Sequence, residues 1–419
     1  MSGHTMVEKI LARCAGRGSV RAGDEVYAKP DFVHAYELKG TTDVIKRDME
    51  SLGNGQVPGA KRFAIYIDHR VPSKTPEQEA FHEETRAWAR NQKMALFDRQ
   101  GIGHQVASEE GYAVPGSFSV HADGHIAQLG AFGALALGLR GNIIEAFVSE
   151  GVHLKVPATT RVLLTGKLSE GVMGRDVFHH LLYKYGPAFA SFHALEFSGP
   201  GADSISMEGR QTICGLAMFT GALTALFSPS EHVMASVPSN GKIQIPPAIS
   251  DADATYANTI EIDLAAVVPM IVLPPSPANA RPLSEHLGIP VQAGYLGSCA
   301  SGRVEDLQAA ARILVGKRID QSFSLHVVPT SRRIMLEATR NGSLAALVEA
   351  GAFVSSPSCD FCSGNIATMA SGQKAVSTGT LNVPGRMGAI DADIYLMSAA
   401  SVAIASLLGR TADPREYLK

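Results

Sequence analysis

The sequence lacks the features of a secreted, membrane-spanning or nucleic-acid-binding chain. It holds only five cysteines in 419 residues, and none are spaced as a secreted disulfide framework. That usage fits a reducing, cytoplasmic compartment. No uninterrupted apolar run reaches the roughly 18 residues that a spanning helix needs, so no membrane association is expected. The opening MSGHTMVEKILARCAG has no apolar signal-peptide core. Neither sign of charge dominates, since 37 Lys and Arg against 40 Asp and Glu leave a formal −3. A nucleic-acid partner is excluded on that balance. Aromatics are scarce at 6%, and no repeat or low-complexity tract interrupts the chain. What remains is a length sufficient for two or three domains with real cores.

Strand-like and helix-like stretches alternate, which predicts an α/β fold. Residues 1–155, 156–265 and 266–419 are the expected units. In the first, helical spacing covers Met6–Arg13, Asp43–Leu52 and Thr75–Asn91, and EVYAKPDFVHAY reads as extended pieces broken at Pro30. Phe63–Ile67 is a short apolar strand that delivers Asp68 and His69 at its carboxyl end, where open sheets place ligands. His82-Glu83 fails the H-E-x-x-H pattern and reads as solvated, and GNGQVPG follows a helix, so it is no dinucleotide loop. Ile126–Leu139 reads as a helix of small residues. In the second unit TTRVLLTG and HALEFSG read as strands around a helix over Met173–Tyr185. In the third, MIVLPPSPANARP reads as a loop, followed by helices at Val304–Leu314, Ser331–Asn341 and Ala399–Leu408 and a strand at Phe323–Val328.

The richest stretch is SSPSCDFCSGNIATMASGQKAVSTGTLNVPGRMG, residues 355–388. Cys359 and Cys362 share a turn-like setting that points both sulfurs one way, and Arg386 follows in a glycine-flanked turn. Cys299, between a strand-like and a helix-like run in GYLGSCASGR, is the candidate third thiol. A redox pair, a structural zinc site, an iron–sulfur cluster and buried free thiols all remain open on spacing alone. Cys14 and Cys214 lie in helix-like runs and read as structural. His69, His104 in GIGHQ and His125 in HADGH form a second constellation, with Asp68 and Asp123 beside two of them. A carboxylate that fixes an imidazole keeps it protonated enough to help a hydroxyl leave as water.

The stretch resembles the cluster loop of the aconitase superfamily, which reads roughly P-x-C-x-x-C and then S-T-S-N-R-N-F-x-G-R-x-G. The resemblance runs through nearly the whole chain: EKILARCAGRGSVRAGDEV, YIDHRVPS, GIGHQVASEEGYAVPGS, HADGHIAQLGAFGALALG, EFSGPGADSISMEGRQTICGLA, YLGSCASGRVEDL and GRTADPREYL follow in family order. It is similar above all to the separate large subunits of the 3-isopropylmalate dehydratase and homoaconitase group. The resemblance implies three α/β/α domains around a [4Fe–4S] cluster held by Cys299, Cys359 and Cys362. It implies a hydro-lyase acting on a small hydroxy acid, with Asp68, His69, His104, Asp123, His125 and Glu196 as catalytic residues. It also implies that a separate small subunit carrying a swivelling domain completes the site.

Departures from the family pattern fall on the substrate side. Thr380-Leu381-Asn382-Val383 stands where the family has N-R-N-F, so Leu381 replaces one of two arginines that hold carboxylates and Arg386 alone remains. Gly124 replaces a serine in Asp-Ser-His-Thr, Ala300-Ser301 replaces Thr-Asn after Cys299, and Tyr36-Glu37 replaces a His/Gln-Asp pair. The implied ligands are kept and the clamps are not. That pattern points to an unusual substrate, with one carboxylate fewer or an apolar substituent. The competing expectation is a cluster-binding paralogue without catalysis, acting as an iron or oxygen sensor or a scaffold.

Overall fold

The computed structural model of the chain describes residues 3–53 and 55–418. Local chemistry starts its helices where the sequence predicts. Thr5 and Glu8 form a reciprocal capping box on Met6–Cys14, Thr75 caps Pro76–Gln92 with proline in the first turn, and Ser331 caps Arg332–Arg340.

The first sheet has five parallel strands in the spatial order Ala95–Asp98, Phe63–Ile67, Phe32–Tyr36, Phe118–His121 and Leu135–Gly138. Every residue of Phe63–Ile67 is buried, as befits a parallel strand covered on both faces. Chain order runs outward in one direction from Phe32–Tyr36 and in the other from Phe118–His121. The crevice at their carboxyl ends is therefore a topological switch point. A second sheet of four parallel strands runs Thr224–Phe227, Ala194–Ser198, Thr159–Thr165, Asn258–Asp263. The third has seven strands, ordered Ala280–Pro282, Met270–Val272, Asp393–Met397, Lys374–Ser377, Ala293–Leu296, Ser324–Val327, Phe353–Val354. Its last five strands are parallel and reverse order between Ala293–Leu296 and Lys374–Ser377, a second switch point. Glu25–Ala28 and Val152–Lys155 pair antiparallel.

One core joins the second and third sheets, with Val162, Phe197 and Phe227 in the same cluster as Tyr295, Phe361 and Leu396. Helix Ala399–Leu408 is buried over its first eight residues, Ala399 through Ser406, as its apolar composition predicts. The carboxyl edges of the first and third sheets meet through backbone bonds. Ile102 N–H donates to Thr330 O at 2.8 Å, Arg332 N–H to Gln100 O at 2.8 Å, and Cys359 N–H to Asp68 O at 2.7 Å. Gly101, at φ +123°, is required at this seam, because a Cβ there would lie 2.4 Å from Ser331 Cα.

Three expectations are corrected. Ile126–Leu139 is not one helix: a 3-10 run over Gly124–Phe132 gives way to strand Leu135–Gly138. The small residues serve close packing, since a Cβ on Gly130 would fall 1.8 Å from Ala225 O. The proline-rich MIVLPPSPANARP carries two antiparallel strands, and Pro282 ends the one on the sheet's edge. His82 is buried rather than solvated, bonded through Nε2 to His69 O at 3.1 Å and through Nδ1 to Ser73 at 3.1 Å.

Candidate active site

The two switch points face each other, one bearing imidazoles and carboxylates and the other thiols. Asp68 and His69 leave the end of Phe63–Ile67. Asp68 Oδ1 holds His69 Nδ1 at 2.7 Å, and Oδ2 accepts the Gly103 N–H at 2.7 Å. Beneath them the buried Glu37 carboxylate accepts both the Asp68 and His69 N–H groups at 2.8 Å. Burial draws His69 down, but the adjacent Asp68 charge and bond, with Glu37 behind, outweigh it and raise the ring to about 9. Tyr36, at the end of its strand, sets its ring 5.0 Å from that of His69 and 4.8 Å from that of His121 across the switch.

His104 opens helix Gly103–Glu109, with Nε2 3.6 Å from Asp123 Oδ1 and its ring 4.9 Å from His121. Asp123 Oδ1 also takes His125 Nδ1 at 2.8 Å and the His125 N–H at 2.7 Å, while His121 Nδ1 accepts the Asp123 N–H at 2.8 Å. Burial alone would push Asp123 up. The His125 charge and the bonds from both histidines outweigh it and hold Asp123 well below the usual carboxylate range. His125 Nε2 and His104 Nδ1 are buried without a partner, which leaves polar ring atoms free within the constellation.

On the opposite side Cys299 follows strand Ala293–Leu296. The residue before it, Ser298, sits at φ +86°, unusual for a residue other than glycine, and its hydroxyl donates to Thr378 O at 3.0 Å. Cys359 and Cys362 lie in the turn after Phe353–Val354. All five cysteines are free. Burial pushes the Cys299 thiol well above its ordinary range, with the charges of Cys362, Cys359 and Asp123 adding to it. Burial and the Asp68 charge do the same to Cys359. Three thiols and an imidazole–carboxylate wall therefore share one neighbourhood. Cys14 and Cys214 remain apart on helices Met6–Cys14 and Met207–Leu216, buried, as their apolar settings predict.

The donor set fits a group larger than one ion. Among the described residues the only trio of ligand-type atoms mutually within 4.8 Å is drawn from Asp68, His69 and Cys359. The three sulfurs do not draw together as they would around tetrahedral zinc, where about 3.8 Å separates ligands on bonds of about 2.3 Å. Gly379 closes the cradle: a Cβ there would stand 3.9 Å from Cys362 Sγ. Beyond it, Leu381 is half-buried, Asn382 Nδ2 donates to Leu273 O at 2.9 Å, and half-buried Arg386 has its Nε unpartnered.

Glu196 is not brought into this constellation. It is the middle residue of Ala194–Ser198, and its carboxylate accepts Ser250 Oγ and Tyr256 Oη, each at 2.8 Å, beside the N-terminus of helix Met6–Cys14. It anchors that helix and the 250 loop. Sequence reading also missed two apolar neighbours. Met218 Sδ would meet a Cβ on Gly124 at 3.2 Å, and the Phe219 ring stands 6.2 Å from that of His125. Both side chains are half-buried on the 3-10 turn Ala217–Thr220, and nothing in an apolar helix-like run marks them as site residues. Among the described residues no helix is long and apolar enough to cross a membrane.

The chain matches the model of the aconitase family (aconitate hydratase) over residues 59–288 and 285–409. It is 34% identical to the 3-isopropylmalate dehydratase large subunit 1 of Methanopyrus kandleri, over 99% of this chain and 100% of that one. It is 33% identical to the 3-isopropylmalate dehydratase large subunit of Halothermothrix orenii, over 99% and 100%. The corresponding subunit of Aquifex aeolicus is 33% identical over 100% of this chain and 98% of its own. A solved structure of Thermococcus kodakaraensis aconitase X in its holo-form covers 84% of each chain at a TM-score of 0.49 and 11% identity.

Proposed function

We propose that this chain, a hydro-lyase that belongs to the aconitase family, is the large subunit of a cytoplasmic iron–sulfur dehydratase. The observation that carries the reading is the meeting of Cys359 with Asp68 and His69, ligand atoms within 4.8 Å of one another, with Cys299 and Cys362 beside it and the Asp123–His125 pair on the same edge. Residues 1–155, 156–265 and 266–419 are its three domains around that crevice, the second and third sharing one core. The three cysteines would hold a [4Fe–4S] cluster. When bound, that group supplies a Lewis-acidic iron, which polarises a substrate hydroxyl.

The chain's own residues handle the proton and the orientation. Asp123 engages His125 Nδ1, so the unpartnered Nε2 is the atom that carries a proton to the departing hydroxyl. Asp68 holds His69 in the same manner, and Glu37 fixes the backbone of both residues. Arg386 supplies the one guanidinium free to take a carboxylate in the loop that follows Gly379.

The substrate is a small hydroxy acid of the isopropylmalate, homoaconitate or malate-derivative type. The clamps favour one with an apolar substituent: Leu381 replaces a cation, and Met218 and Phe219 flank Gly124 and His125. A separate small subunit closes the crevice, excludes water and supplies the base that takes the carbon-bound proton. The test is turnover of the cluster-loaded chain, together with its small subunit, on a panel of hydroxy acids differing in that substituent. Dehydration of apolar-substituted acids is expected. A loaded complex inert to the whole panel would favour a sensor or scaffold instead.

A further inference from the structure

Two arginines near the thiols are fully buried, and neither belongs to an ion pair among the described residues. Arg303, 0% exposed, closes the turn that begins at Cys299. Its Nη2 donates to Cys299 O at 2.8 Å and to Gln128 Oε1, its Nε to Gln105 Oε1 at 2.9 Å, and its Nη1 to Thr212 Oγ1 at 3.2 Å. Gln105 follows His104, and Gln128 lies on the same 3-10 run as His125. One guanidinium thus ties a thiol-bearing loop to both histidine-bearing elements. Arg175, 3% exposed, lies in the first turn of helix Gly174–Tyr185. It donates to Gly379 O at 3.1 Å and to Thr378 O, the segment against which Cys362 Sγ rests, and its Nε has no partner.

Every acceptor of these two side chains is neutral, and among the described residues no carboxylate lies within 4.0 Å of either. Asp306 acts on both by charge more strongly than any other carboxylate, yet its own bond goes to the Arg303 N–H at 3.2 Å. A buried cation without a counter-charge is strongly unfavourable, so negative charge must be near. Asp306 and Glu208 supply most of it at Arg303 and Asp306 and Asp176 at Arg175, and the thiols add to it: Cys299 acts on Arg303 by charge, and Cys362 and Cys299 act on Arg175.

We infer that Arg303 and Arg175 are positioning residues, Arg303 gripping the Cys299 loop by its carbonyl and Arg175 the Thr378-Gly379 segment beside Cys362, and that both set their charges toward the sulfurs of Cys299 and Cys362. Those charges hold the reduction potential of the bound cluster high. The inference rests on the reading that these cysteines hold an iron–sulfur cluster.

The experiment is a dithionite titration of the anaerobically reconstituted wild type, R303Q, R303K, R175Q and R175K, followed by electron paramagnetic resonance, with iron and sulfide content and thermal melts on each. Taking one electron from dithionite adds negative charge, so loss of a nearby cation disfavours it. Each glutamine variant is expected to shift the midpoint negative by at least a tenfold change in the reduction equilibrium, about 59 mV for one electron. Each lysine variant keeps the charge but loses the fork, and its midpoint is expected within that margin of wild type. If a glutamine variant does not fold, the lysine variant at that position decides: a midpoint displaced beyond the margin overturns the inference. Loaded, folded glutamine variants with the wild-type midpoint overturn it as well. A wild type that takes up neither iron nor sulfide overturns the cluster reading and this inference with it.

Discussion

Cys359 donates its backbone N–H to the carbonyl oxygen of Asp68 at 2.7 Å, which joins a thiol-bearing loop of the third sheet to the imidazole-bearing edge of the first. The same Asp68 grips His69 by its side chain, so one residue sets the ring relative to the sulfur. Chemistry that needs a proton donor held at a fixed distance from a thiol-bound group would depend on such a junction.

Asp123 is the hinge of the second pair. Because one oxygen meets His125 Nδ1, the His125 N–H and, more distantly, His104, Asp123→Asn is expected to misorient His125 and remove its counter-charge. A loss of roughly 10²- to 10³-fold in kcat is expected, within the usual range for a proton donor. His125→Asn is expected to cost about as much, and the double variant little more than either alone. Steady-state kinetics with matched iron content check this, and additive losses would count against a shared role.

Leu381 and Phe219 are expected to set the substrate. Leu381→Arg puts an unpaired cation in a half-buried loop, which is expected to lower activity on the natural substrate by about a hundredfold or more. Phe219→Ala is expected to raise KM for acids with an apolar substituent and to leave unsubstituted acids nearly unaffected. The comparison of kcat/KM across both substrate classes is the check. Equal effects on both would remove Phe219 from the pocket wall.

Much of this was legible in the sequence, and the failures have two causes. Phe63–Ile67 is a local matter, and the structure matches it residue for residue, while the helix expected over Thr75–Asn91 runs from Pro76 to Gln92 with Thr75 as its cap. Asp68, His69, His104, Asp123 and His125 come together because each lies at or after a strand's carboxyl end; the sequence shows that strand only for Asp68 and His69, and the other three stand out by their motifs. Glu196 is singled out by the resemblance alone, and its carboxylate bonds Ser250 and Tyr256, contacts that no local signal in the sequence shows. Arg303, Arg175 and Phe219 lie in ordinary helix-like or turn-like contexts, and only tertiary packing shows what they touch. The stretch after Gly124 failed for the opposite reason: its small residues serve contact with strand Thr224–Phe227 rather than helix formation.

Stability is expected to fall on mild acidification. Burial, with the His104 charge adding, pulls His34 down to about 3, and burial with Arg175 holds His179 well below its ordinary value. Both groups are depressed in the folded state. Their contribution is therefore complete above the unfolded value of about 6.5 and is lost as pH falls toward the folded one. Each adds a slope of about 1.4 kcal/mol per pH unit below that point. Denaturant midpoints at pH 7, 6 and 5.5 check it, and equal midpoints would show that these rings titrate normally.

The isolated chain is expected to be inactive even with its cluster intact, because on the proposed reading the base for the carbon acid belongs to the small subunit. Adding the small subunit is expected to restore turnover. An assay of the purified, loaded chain with and without its partner decides it, and full activity alone would place the base on this chain.

The central claim is that Cys299, Cys359 and Cys362 carry a four-iron cluster with one iron free of protein ligands. Anaerobic reconstitution followed by iron and acid-labile sulfide analysis tests it most directly, with each cysteine replaced in turn by serine. About four irons and four sulfides per wild-type chain are expected, falling sharply in each of the three variants and unchanged in Cys14→Ser and Cys214→Ser. One equivalent of zinc without sulfide, or full loading after loss of any of the three thiols, would contradict the account.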